Sequence, residues 1–347
     1  YVRGHRSDYD HWADLGNEGW SWHDVLPYFR KAEHNERGGD DLHGVDGPLN
    51  VADQRSPRGI GEAFLNAARE MQFPINHDFN GPEQEGIGFY QVTQKNGERF
   101  SAAKAYLTPH LERPNLDVIT KARVAKILFD GKRAVGVAYT KAGRKIDIKA
   151  RREIILAGGA FNTPQLLMLS GVGPGSELQK HGIEVQHDLP GVGNNLQDHI
   201  DYTAVYKSRS RDVIGVSLGG MIDLTKAVFE WRNKRTGLIT TPFAEAGGFL
   251  KTSADLALPD IQLHFVVGIV DDHNRKPHLG HGFSCHVCVL RPKSRGSVTL
   301  KSADPGDDPV IDPNFFGDAA DLDLLIEGYK ITRRILEAPA LSRYRAK

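Results

Sequence analysis

Apolar residues recur at helical spacing along much of this chain and alternate with polar ones elsewhere. The helical spacing predicts helices over Asp8–Leu15, His23–His34 (with Ser21 as cap) and Ile60–Met71. Others are expected from Ser101 to the residue before Arg113-Pro114, over Leu224–Arg235, and from Asp318 or Asp321 to about Leu336. Alternation and β-branched runs predict strands at Leu116–Thr120, Val124–Phe129, Ala134–Tyr139 and Lys145–Ile148. Further strands are expected at Ile261–Val266, Phe283–Leu290 and Ser297–Lys301. Asp78-Phe79-Asn80-Gly81-Pro82 is a strong turn. The character changes near Asn195–Tyr202, which is the best place to divide the chain.

The stretch Arg152–Gly173 organises the rest. Ile154-Ile155-Leu156-Ala157 has the content of a buried strand and runs into Gly158-Gly159. Asn162 or Thr163 is expected to cap a helix with Pro164 at its first position and Gly171 at its end. A strand, a turn without side chains and a helix N-terminus let a backbone press against an anionic ligand. Alone, such a junction is as often mere tight packing. The four short strands before it form an antiparallel meander that returns the chain to this junction. Two-dinucleotide-binding flavoproteins do this before the chain passes beneath the cofactor, which makes a flavin site the leading idea.

Composition narrows the classes. The chain's 347 residues suffice for two domains, and 44 basic residues balance 44 acidic ones, so no net field draws nucleic acid. The basic residues Lys121, Arg123, Lys126, Arg151 and Arg152 are interleaved with strand residues and read as solvated sheet faces. No apolar run reaches membrane-spanning length. The two cysteines, Cys285 and Cys288, suit a reducing compartment; on one strand they fall on opposite faces, which argues against a redox or metal pair. Trp12, Trp20, Trp22, Leu26, Tyr28 and Phe29 are read as core packing rather than an aromatic ligand box. His264, His273, His278, His281 and His286 crowd one region with Asp271 and Asp272. The stretch from Asp271 to His281, with Pro277 and Gly280, is read as a solvated loop rather than a metal site.

Gly159-Ala160-Phe161-Asn162-Thr163-Pro164-Gln165-Leu166-Leu167-Met168-Leu169-Ser170-Gly171-Val172-Gly173 resembles the second signature of the glucose–methanol–choline (GMC) oxidoreductases. Tyr1-Val2-Arg3-Gly4 is similar to the segment just after that family's first Gly-rich signature. His43–Leu49, Asp78–Gly81, Gly193–His199 and Arg291–Gly296 match further segments, so the resemblance covers essentially the whole chain. The nearest members resemble bacterial choline-dehydrogenase-like and aliphatic alcohol dehydrogenases, and Ala244-Glu245-Ala246-Gly247-Gly248-Phe249 leans toward alcohols.

The resemblance implies an α/β plus α+β fold: a Rossmann-like FAD-binding domain with a β-meander, its N-terminal βαβ missing, then a substrate domain of antiparallel sheet and helices. Residues 1–199 would be the partial FAD-binding domain, with lid or inserted helices in 1–75, and 200–347 an incomplete substrate-binding domain. It implies FAD as cofactor, with Val124 meeting the adenine through its backbone and Ala157, Gly158 and Gly159 passing the ribose and pyrophosphate. Glu245 falls near the substrate cavity; its bland alternative is a surface or salt-bridged glutamate. The chain reads as the interior of a longer protein, whose catalytic His and its partner are expected beyond Lys347, and it is expected to be inactive by itself. The parent is expected to oxidise a primary or secondary alcohol by hydride transfer to flavin, with choline dehydrogenase proper and a non-redox hydroxynitrile lyase as alternatives. Expected partners are a small alcohol and an electron acceptor such as a quinone or carrier protein; homo-oligomerisation stays open. A cytoplasmic location is expected, with loose attachment at the inner membrane face as an option.

Overall fold

A computed structural model describes residues 1–270 and 278–346. The chain forms two compact units. One comprises residues 1–116, 201–291 and 323–347; the other comprises 117–200 and 292–322. The chain crosses between them three further times besides the crossing at 200/201, so each unit is assembled from separated segments.

The first unit begins with helices α1 (Arg6–Asp14) and α2 (Trp22–Ala32). Reciprocal bonds between Ser21 and Asp24 start α2, as the sequence predicts. Neither helix buries a residue, and this overturns the core reading of the aromatics. Tyr9, Trp12, Trp20, Trp22 and Phe29 pack mainly on one another, with ring centroids 5.4 to 6.1 Å apart. The rings therefore form a layer between two short surface helices, and Trp12, Trp20 and Tyr28 stay exposed.

Short strands β1 (Glu33–Asn35) and β2 (Leu49–Val51) pair in parallel. Helix α3 (Gly59–Glu70) then lays Ile60, Phe64, Ala67 and Ala68 against the core. The strands β3 (Gly86–Phe89), β4 (Gln94–Lys95) and β5 (Glu98–Arg99) follow. The expected helix after Ser101 is instead a π turn, Ala103–Leu107, and a 3₁₀ turn, Thr108–His110. Pro109, which has no N–H to give, sits where a regular helix would continue.

The centre of this unit is a six-stranded sheet. Its path is β12 (Asp201–Ser208), β16 (Gly280–Val289), β15 (Ile261–Val266), β14 (Ala244–Leu250) and β3, with β13 (Gly215–Val216) beside β16. Neighbours along the path run antiparallel. One face is apolar: Phe64 stacks on Phe265 with centroids 4.3 Å apart, and Phe265 meets Phe283 at 5.7 Å. Helix α6 (Leu218–Lys234) begins six residues before its predicted start because Ser217 Oγ caps it, accepting from Gly220 N–H. Helix α7 (Ala319–Glu337) starts as expected, with Asp318 accepting from Ala320 N–H.

A polar knot is buried near the start of the chain. Arg3 and Glu33 form an ion pair, and His43 reaches Glu33 at 3.3 Å through Nδ1 and Asp78 at 2.9 Å through Nε2. Asn35 Nδ2 donates to Glu33, and the side-chain amides of Asn35 and Gln91 exchange hydrogen bonds to complete it. His43 is only 5% exposed. Hydrogen bonds to Asp78 and Glu33 outweigh burial and push its pKa up to about 9, so it is an imidazolium at neutral pH.

The second unit holds the meander β6 (Arg123–Asp130), β7 (Arg133–Lys141) and β8 (Arg144–Lys149). The predicted first strand, Leu116–Thr120, does not form. Lys121 takes φ +54°, a left-handed turn that separates this run from β6, and Val118 and Ile119 lie exposed. Helix α4 (Gly159–Leu169) packs on β6, and Ser170 Oγ accepts from Ile127 N–H at 2.8 Å. Strand β9 (Val172–Gly173), helix α5 (Gly175–Lys180) and strand β10 (His187–Asp188) follow, the two strands pairing in parallel. Strands β11 (Asn194–Leu196), β17 (Gly296–Thr299) and β18 (Val310–Asp312) form a small antiparallel sheet. Met168, Leu169, Leu178 and Leu300 make this unit's core.

Candidate functional site

The cofactor residues named from the sequence lie in the second unit. Val124 stands on β6, opposite Tyr139 of β7, and is exposed. Strand β6 is an edge of its sheet, so part of its backbone has no strand partner, the arrangement a planar ring with a donor and an acceptor can join.

The segment leading to α4 departs from expectation. Ile154–Ala157 is not a strand, and Ile155 is 80% exposed. Among the described residues no strand is hydrogen-bonded beside it, and an extended run without a ladder partner has nothing to bury it. The helix also begins earlier than its predicted cap. Gly158 is the N-cap and Pro164 lies inside, at the sixth position, where its missing N–H deprives Ala160 of an intrahelical donor. Asn162 and Thr163 are therefore helical residues rather than caps. Gly171, at φ +86°, does end the helix as predicted.

These differences make the junction more open than the sequence suggested. Gly158 supplies no side-chain cap, so the first N–H groups of α4 have no side-chain acceptor. Gly159 takes φ +76°, and a Cβ built there would meet nothing within 4 Å. The turn is bare and accessible on both counts. It fits a diphosphate laid against a helix N-terminus.

Glu245 lies in the first unit, at an irregularity of β14 between Ala244 and Ala246. It is fully buried, which removes the surface alternative. Its Oε2 accepts from Arg58 N–H at 2.6 Å, at the N-terminus of α3, and its Oε1 accepts from Thr241 Oγ1 at 2.7 Å. Burial raises its pKa, and those two hydrogen bonds offset part of the rise.

Of the five histidines that crowd this region of the sequence, His264 and His286 lie on the strands expected of them, and His281, read as loop, lies on β16. His264 on β15 faces His286 on β16, and Thr203 on β12 is the next residue in that row. His286 Nδ1 contacts Asp201 Oδ2 at 2.7 Å and Thr203 Oγ1 at 3.0 Å. Period-two spacing of 201/203, 262/264 and 284/286 was the available signal for this polar row, and it was missed. His281 opens β16 and meets Ser217 Oγ and the carbonyl of Val213. His273, Asp271, Asp272 and Pro277 lie outside the described residues. Cys285 and Cys288 are buried, form no disulfide, and stand opposite Phe265 and Gln262 respectively, hence on opposite faces. Among the described residues no helix is long and apolar enough to cross a membrane.

Comparison with known proteins supplies the wider context. Models of the GMC oxidoreductase family match residues 1–201 (the N-terminal model) and 292–347 (the C-terminal one). A Pseudomonas putida protein named alcohol dehydrogenase [acceptor] is 46% identical over 351 residues, covering 99% of this chain and 63% of that protein. An oxygen-dependent choline dehydrogenase of Brucella anthropi is 41% identical over 346 residues, covering 99% and 62%. An FAD-dependent oxidoreductase structure from Chaetomium thermophilum superposes with TM-score 0.85 at 26% identity, covering 99% of this chain and 68% of that one. The chain thus spans about three-fifths of the length of the curated relatives.

Proposed function

The chain belongs to the GMC oxidoreductase family, and from that premise we propose that its protein oxidises a primary or secondary alcohol to the carbonyl with FAD as hydride acceptor. The observation that carries the reading is the bare turn at Ala157–Gly159 opening α4, in the family's own signature segment. The edge of β6 at Val124 would receive the adenine, and the first N–H groups of α4 would hold the pyrophosphate. FAD supplies a two-electron acceptor that no amino-acid side chain provides. Glu245 is assigned to the margin of the substrate cavity, where its carboxylate holds the first turn of α3. The base that takes the hydroxyl proton is assigned to no residue of this chain.

Residues 1–199 would serve the cofactor and 200–347 the substrate. A medium-chain or aromatic alcohol is the favoured substrate, since the chain shares more identity with an alcohol dehydrogenase than with the choline dehydrogenases. Electrons would pass to a quinone or a carrier protein, with the protein held peripherally at a membrane face.

The test is anaerobic addition of a medium-chain alcohol, benzyl alcohol or choline to the purified full-length protein. Bleaching of the visible flavin band with appearance of aldehyde supports the reading, and the fastest substrate names the class. Flavin that stays oxidised while a cyanohydrin is cleaved would replace it with a lyase. This chain expressed alone is expected to bind little FAD and to turn over no alcohol.

A further inference from the structure

Helix α6 is turned inside out. Its one buried residue is Ala227. At 100° per residue, Leu218, Met221, Ile222, Thr225 and Phe229 share the opposite side, at spacings of three, four, seven and eleven. Leu218 is 84% exposed, Met221 66%, Ile222 55% and Phe229 61%. The stripe continues off the helix: Val216, just before the cap, is exposed and bridges to Leu279, which is 83% exposed. Single exposed apolar residues are ordinary, but six in one contiguous band on one surface are not.

Shape and charge select the occupant. The band is the convex side of a helix about 25 Å long, with Leu279 beside it, so it offers no groove for a peptide. Lys226 borders the stripe and Arg232 continues it, both exposed, while Lys234 falls on the Ala227 side. Of the helix's acidic residues, Asp223 is held by Arg211 at 2.6 Å and Glu230 accepts from Thr236. Apolar side chains outward with cations at the border are the composition of a helix lying in a membrane interface. There the rings and methyls enter the acyl boundary, and Lys and Arg reach up to phosphate.

We infer that the outer face of α6, with Val216 and Leu279, is the surface that docks on anionic phospholipid. The inference rests on the proposed peripheral attachment and names where it occurs. An α6 lying at the bilayer surface would hold this unit next to a lipid-dissolved acceptor.

The test uses the full-length protein and sedimentation with vesicles of phosphatidylcholine alone or mixed with phosphatidylglycerol. Wild type should bind the anionic vesicles, and an Ile222→Ser/Phe229→Ser variant should bind at least tenfold more weakly while oxidising alcohol with a soluble dye at the wild-type rate. Lys226→Gln/Arg232→Gln should weaken binding and flatten its salt dependence. Because these side chains are exposed, an unchanged thermal midpoint is expected. Independently, Phe229→Trp should shift its emission to the blue on adding anionic vesicles. If the serine variant binds like wild type, another surface makes the contact and the inference falls, although peripheral attachment stands. If wild type binds no vesicle, peripheral attachment itself fails. A wild-type dimer that the serine variant dissolves, or a Phe229→Trp emission already blue-shifted without lipid, would make protein the occupant and overturn the inference.

Discussion

His43 should act as a buried cation whose contribution to stability disappears in mild alkali. The perturbation is His43→Gln, which keeps a polar side chain of similar reach but never carries charge. In the fold the imidazole lies between the carboxylates of Glu33 and Asp78 and is 5% exposed. Its pKa rises from 6.5 to about 9. At about 1.36 kcal/mol per unit that shift amounts to ~3.4 kcal/mol of linked stability. The folded pKa lies above the unfolded one, so this stability is fully present below pH ~6.5 and lost as pH climbs through ~9. At pH ~7.5 about 2 kcal/mol should remain, and near pH ~9 less than ~0.5 kcal/mol.

Urea denaturation of wild type and His43→Gln between pH ~6 and ~9.5 reads this directly, because groups common to both cancel in the difference. The stability gap should narrow by about 3 kcal/mol across that range. Glu33 sharpens the effect. Burial acts to raise its pKa, but the His43 hydrogen bond and the Arg3 charge overcome it and hold the carboxyl low. Once His43 loses its proton, Arg3 remains as the ion-pair partner of a fully buried carboxylate, helped by hydrogen bonds from Gly44 N–H and Asn35 Nδ2. A gap that stays flat over the whole range would show His43 to be neutral in the fold and refute the argument.

Three further outcomes rest on the same geometry. Glu245→Ala should cost about 1–2 kcal/mol in urea denaturation, because it removes the acceptor of two partly buried donors, Arg58 N–H and Thr241 Oγ1. Gly159→Val should lower the flavin-to-protein absorbance ratio of the full-length protein, since φ +76° opposes a β-branched residue and its side chain would fill the open turn. Cys285 should resist a thiol reagent at pH ~8 until denaturant is added, because burial raises its pKa and leaves little thiolate.

The sequence disclosed what is local and hid what depends on distant partners. The caps at Ser21 and Asp318, the stop at Gly171 and the strand Ile261–Val266 arise from neighbouring residues alone, and each stands where the pattern put it. The run at Ile154–Ala157 has the composition of a buried strand, but a strand is completed by its ladder and not by its own residues. The family signature was legible for the same reason as the caps, because its glycines and helix occupy consecutive positions. The charged knot was not. Arg3, Glu33, His43 and Asp78 are spread over 76 positions of the chain and share no period. Each read singly is a surface charge, and only the fold shows that two cations and two carboxylates neutralise one another, Arg3, Glu33 and His43 buried and Asp78 half-buried at the margin.

The two faces of the central sheet show the same limit in another form. Alternation predicts which residues of β15 and β16 share a side, but not which side meets helix and which meets polar groups. On one side Phe265 and Phe283 found Phe64 of α3. On the other, His264, His286 and Thr203 stand in one row, with Asp201 bonded to His286. Four residues from three strands, none adjacent across strands in the sequence, make that row. That second face is polar in one stripe only: the Tyr90 ring lies 6.0 Å from that of His264, and Phe79 packs on Tyr90 and Phe249 beside it. The pattern of alternation was visible throughout. Its meaning came from distant packing partners, Phe64 of α3 on one face and Tyr90 with Asp201 on the other.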